Sequence, residues 1–147
     1  MDDIGLFGLN NIKDLFKKLE REYNALKDEV TTDRIANFVI TADSLFEWVE
    51  KDKTANGKIR KQFKKLKNTE QHKLINDMAN RAKHYVRKEG HRGVSKDKLI
   101  PSWDFSNLDF SNVTFGEPIF EAEMNGKSVD IMNEFTILFE NIKRILE

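Results

Sequence analysis

Asn76, Asn80 and His84 recur every four residues in the stretch Asn76-Asp77-Met78-Ala79-Asn80-Arg81-Ala82-Lys83-His84-Tyr85, whose apolar positions keep a helical spacing. A four-residue step brings all three to one side of a helix, beside the core-facing stripe of Met78, Ala82 and Tyr85, with Ile75 at its border. Two chemistries fit that side. The imidazole of His84, with an ordinary pKa of about 6.5, can act as a general base. Arg81, Lys83, Arg87, Lys88 and Arg92 would then neutralise a phosphate. The other chemistry is structural: Asn80 and His84 bond to groups such as Asn37 or Thr41 on the preceding helix and fix the packing register.

A second set of residues speaks to phosphates more directly. Lys58, Arg60, Lys61, Lys64, Lys65 and Lys67 cluster within one short segment. On a helix, Lys58, Lys61 and Lys65 fall near one edge and Arg60, Lys64 and Lys67 near another, with Ile59, Phe63 and Leu66 turned inward. Such a ridge contacts several phosphates without reading bases. The zero net charge conceals this concentration. Residues 1–50 hold 6 basic and 11 acidic side chains, residues 51–100 hold 16 and 5, and residues 101–147 hold 3 and 9. Either the acidic flanks fold against the basic centre and neutralise it, or the centre stays open as an electropositive face.

Much other chemistry is excluded. Without cysteine there are no disulfides, thiolate nucleophiles or zinc-finger ligand sets. Gly5-Leu6-Phe7-Gly8 lacks the Lys-Ser/Thr of a phosphate loop, and the three histidines stand too far apart for two metal ligands on one helical face. No carboxylate pair has a diagnostic spacing, and no cofactor or metal is expected. No apolar run reaches the roughly 20 residues of a membrane span. The acidic start, Met1-Asp2-Asp3, is unlike a signal peptide, so the expected location is cytoplasmic.

The elements that must position these residues are mostly helical. The chain has 147 residues and eleven Phe, which suits one domain with a real core. Ile12, Leu15, Phe16, Leu19, Tyr23 and Leu26 make an apolar stripe over residues 11–29, with Asn10 or Asn11 as its cap. Ile35, Phe38, Val39, Ala42, Leu45, Phe46 and Val49 repeat the pattern over 32–51. Asn56-Gly57 separates a weaker basic helix, 57–67, and Thr69 caps another over 70–88. Residues 94–118 read as an extended segment, in which Asp104-Phe105-Ser106-Asn107-Leu108 is nearly repeated by Asp109-Phe110-Ser111-Asn112-Val113. Two alternating runs around Asn125-Gly126 predict a hairpin over 119–131. Asp130 then caps a last helix, 131–146. The expected fold is mainly α: a four- to five-helix bundle with a β-hairpin inserted before the C-terminal helix.

The helix Asp33 to Val49 contains Asn37-Phe38, Thr41-Ala42, Leu45 and Trp48, and it precedes Ala79-Asn80 and Lys83-His84. Together they resemble a set of uncharacterised bacterial and phage helical proteins. Those carry an Asn-Phe-x-x-Thr-Ala-x-x-Leu-x-x-Trp helix, an Ala-Asn-x-x-Lys-His helix and a Phe-rich tail with a short β element. The resemblance runs from about Asp33 to the end and implies a fold without an assigned reaction. A wider resemblance is to HEPN domains, four-helix bundles of toxin–antitoxin, CRISPR and phage-defence systems. Their RNase members use an Arg-polar-x-x-x-His motif and meet as dimers. In this chain Asn80 and His84 match the polar and histidine positions. Ala79 stands at the arginine position, and Arg81 points about 200° away around the helix.

These readings lead to a non-catalytic, HEPN-like interaction module of a mobile element or phage-defence locus. Its anionic partner, nucleic acid or an acidic protein, is met through Lys58, Arg60, Lys61, Lys64, Lys65, Lys67 and Arg87. One alternative is a homodimeric, metal-independent ribonuclease with His84 as base, Asn80 beside it and Arg81 or Arg87 supplying charge. Another is a phage-encoded inhibitor acting through an acidic hairpin, Glu117, Glu121 and Glu123.

Overall fold

The computed structural model describes residues 8–52, 55–83, 121–124 and 127–147, and they are mainly helical. The helices start where side chains satisfy unpaired backbone donors. The Asn11 side chain accepts from the Asp14 N–H at 2.9 Å while the Asp14 carboxylate accepts from the Asn10 N–H at 3.1 Å, and α1 (Ile12–Asp28) begins there. Thr31 accepts from the Arg34 N–H at 3.2 Å to open α2 (Thr32–Lys51). Arg34 then reaches back to close α1, donating to the carbonyls of Ala25 at 2.7 Å and Glu29 at 3.0 Å. Asn56 caps α3 (Gly57–Leu66), and Thr69 opens α4 (Glu70–Lys83) by accepting from the His72 N–H at 3.3 Å.

β1 (Glu121–Met124) and β2 (Lys127–Asp130) pair antiparallel, with Glu121 opposite Asp130 and Met124 opposite Lys127. Asp130 ends the second strand and starts α5 (Ile131–Leu146), its carboxylate accepting from the N–H groups of Met132 at 3.0 Å and Asn133 at 3.3 Å.

One hydrophobic cluster joins the helices. α1 packs on α2, α2 on α4, and both α3 and α4 touch α5. The centre is aromatic. Phe38 stacks on Phe135 with centroids 4.8 Å apart, and Tyr23 stacks on Phe139 at 4.2 Å. The Tyr23 hydroxyl, carried inward with its ring, is hydrogen-bonded to Thr136 Oγ1 at 2.9 Å. Such ring pairs add about 0.5–1.5 kcal/mol each beyond the area they bury. Among the described residues no helix is long and apolar enough to cross a membrane.

The inward face of α4 differs from the expected one. Leu74, Ile75, Asp77, Met78 and Ala79 are buried, whereas Ala82 is exposed. Among the described residues Ala79 is the last buried position of the stripe, one turn before Ala82. Several expectations lie outside the described residues: the continuation of this helix to 88 with Tyr85, the extended segment 94–118 with its five-residue repeat, and the hairpin's residues 119–120 and Asn125-Gly126.

Candidate functional site

The basic helix α3 is held from one side. Ile59 and Leu66 pack against the core and Phe63 is buried in it, meeting Phe46 edge-on at 5.1 Å. Successive residues turn by 100°, so Lys58, Lys61, Lys64 and Lys65 share an arc of about 120° facing away from those anchors. All four are exposed. The ion pairs formed among the described residues engage Lys18, Lys67, Lys73, Arg81 and Lys83, and none of these four.

Arg60 and Lys67 do something else. The Arg60 guanidinium donates to the Asp52 carbonyl, at the end of α2, and Lys67 Nζ pairs with Glu50 at 2.9 Å. The hydrogen bond from Lys67, with its charge, holds the Glu50 carboxyl below its ordinary 4.5. A helix end leaves carbonyls without partners, and a neighbouring cation satisfies them. These two basic residues therefore fasten α3 across the end of α2, and the ridge itself is four lysines wide. Arg87 lies outside the described residues.

A polar seam joins α2 to α4. Asp43, only 5 % exposed, accepts from Asn76 Nδ2 at 2.8 Å and from Lys83 Nζ at 3.1 Å, and Asn80 Nδ2 donates to Asn76 Oδ1 at 3.4 Å. The partner on α2 is thus Asp43. Asn37 is exposed, and the Thr41 hydroxyl accepts from Lys18 at 2.8 Å. Arg81 turns elsewhere, its guanidinium 3.1 Å from the fully buried Asp77. Of the three residues of the ribonuclease reading, Asn80 sits in the seam, Arg81 is engaged with Asp77, and His84 lies outside the described residues. Glu117 of the acidic hairpin does too. Glu121 and Glu123 stand on β1 opposite Asp130 and Ser128.

Two residues of this region escaped the sequence reading. His72 continues the four-residue spacing of Asn76 and Asn80 one turn earlier, a signal that was available. Asp43 is a lone carboxylate at the edge of an apolar stripe, a signal that gives no partner. Replacing Asp43 by alanine strands two donors, and the stability measured by urea unfolding falls by about 2 kcal/mol. The loss stays below that of a fully buried pair because the Lys83 side chain, 29 % exposed, can turn to water. An unchanged unfolding midpoint would show that the seam holds nothing.

His72, in the first turn of α4, packs against Phe46 with centroids 4.4 Å apart. Burial pushes its pKa below 6.5; Asp43 opposes that shift, the charge of Lys67 adds to it, and a hydrogen bond with the Lys67 backbone opposes it again. Unfolding then takes up a proton, so the contribution of neutral His72 is complete above pH 6.5 and is lost as pH falls from there through the lower folded value. Unfolding midpoints recorded from pH 7.5 to 5 decline for the wild type, and the decline is shallower for His72→Phe, which keeps the ring contact without the titration. Parallel profiles would contradict this.

Among the described residues no three His, Asp or Glu side chains gather as a metal would need. Comparison with protein-family models, curated proteins and solved structures finds no match to the chain.

Proposed function

We propose that this chain is a non-catalytic interaction module that binds a polyanion, nucleic acid foremost, through the lysine face of α3. The observation that carries the reading is the arc of Lys58, Lys61, Lys64 and Lys65, exposed on a helix anchored from its opposite side and unpaired among the described residues. From Lys58 to Lys65 the helix rises about 10 Å, so four ammonium groups crowd a span that a phosphate backbone matches. Lysine suits this task as a flexible point charge that needs no fixed geometry from its partner. The reading assumes an HEPN-like bundle, with a hairpin before its last helix, in a cytoplasmic setting; a homodimer would double the lysine surface.

The test is fluorescence anisotropy of labelled nucleic acid against salt. The expected result is binding at 50 mM salt whose logarithm falls linearly with that of the salt concentration. Absence of binding at low salt, or binding indifferent to salt, would overturn the reading. Capture of polyglutamate in place of nucleic acid would move the partner to an acidic protein.

A further inference from the structure

We infer that the polyanion the ridge fits is duplex DNA, gripped by its phosphates and not read by its bases; this rests on the reading just given. Lys58, Lys61, Lys64 and Lys65 project from a helical rise of about 10 Å. A double helix offers one negative charge per roughly 1.7 Å of axis, hence about six phosphates over that span, whereas one strand at 3.4 Å offers about three. Four clustered ammonium groups are satisfied by the first and outnumber the second.

Because Ile59, Phe63 and Leu66 hold α3 from below, its lysines crown a convex rod. A helix with side chains is about 10–12 Å across, near the width of about 12 Å of the major groove of B-form DNA. At that groove the edge carrying Lys58 and Lys65 meets one bordering strand and the side carrying Lys64 meets the other, and the flexible stem of Lys61, between them, lets its ammonium group reach a phosphate of either strand. Single strands are held in concave channels that stack their bases, a surface of opposite curvature. The deep, narrow major groove of duplex RNA does not admit such a rod.

The experiment compares three labelled probes of one sequence, a 20-base-pair DNA duplex, its single strand and the corresponding RNA duplex, bound to the full chain. The duplex DNA is expected to bind at least tenfold tighter than either other probe. Four phosphate contacts give a log–log salt slope of about −3.6, so affinity falls about 150-fold between 50 and 200 mM salt. Lys64→Gln, an exposed change that leaves the helix anchors untouched, reduces the slope by about 0.9. Equal or tighter binding of the single strand or of duplex RNA would overturn the inference while leaving the polyanion reading intact, as would a slope shallower than about −2. Failure to bind any probe would overturn both.

Discussion

Replacing Phe38 by alanine destabilises the protein by about 3–5 kcal/mol and lowers its melting temperature by on the order of 10 °C. Phe38 is fully buried and sits where the three largest helices meet, its ring 4.8 Å from that of Phe135 on α5 and 6.1 Å from that of Tyr23 on α1. Truncation removes the transfer energy of the ring, both ring contacts and the atoms that would fill the cavity left behind. Those neighbours come from different helices, so the site cannot close by moving one side chain. Ile137→Ala, at a position 38 % exposed on the same helix as Phe135, serves as the control and shifts stability by less than about 0.5 kcal/mol. Calorimetry reads both. A Phe38→Ala loss below about 1 kcal/mol would mean that the helices do not share the core described.

Reversing Lys61, Lys64 and Lys65 to glutamate weakens nucleic-acid binding by at least about 100-fold at 50 mM salt. The triple change removes three of the four cations from the outward arc of α3 and sets repulsive charges in their place. It leaves Phe63 in the core and Arg60 and Lys67 at the end of α2, so the fold persists and circular dichroism is unchanged. Net charge alone could also weaken binding, and a matched variant separates the two effects. Lys13, Lys17 and Arg21 are exposed along α1, and reversing them changes total charge equally at a distance from the ridge. The α1 variant is expected to lose less than about fivefold through long-range screening-limited attraction. If the α1 variant lost binding and the α3 variant kept it, the contact surface would have been assigned to the wrong helix.

The helical architecture was legible because caps and stripes agree. Asn11, Thr31 and Asp130 each combine a capping side chain with an apolar period that begins immediately afterwards, and each opens a helix. The candidate surface was legible only by residue type. Periodicity places Arg60 and Lys67 beside Lys64, but it does not show that the end of α2 lies within their reach. That contact depends on how two helices cross, and it removes two cations from the ridge. The polar seam failed for a similar reason. Asn76 and Asn80 were visible as a stripe, yet Asp43, some thirty residues away, is joined to them only by packing. Spacing alone puts Ala82 on the inward face, but spacing does not say which positions of a face a neighbouring element covers, and Ala82 is exposed. The question left open by composition, whether the basic centre is neutralised by the acidic flanks, has a divided answer. Lys67 and Lys83 are paired with carboxylates, and Lys58, Lys61, Lys64 and Lys65 are exposed without such a pair among the described residues.

The most direct examination of that answer is the rate at which each lysine is acetylated by a small amine-reactive reagent, followed by mass spectrometry with and without nucleic acid. In the free protein Lys58, Lys61, Lys64 and Lys65 should react faster than the paired Lys67 and Lys83, and in the complex those four should be shielded together while Lys13 and Lys17 on α1 keep their rates. Slow labelling of the four in the free protein, or fast labelling that bound nucleic acid leaves unaltered, would contradict the account.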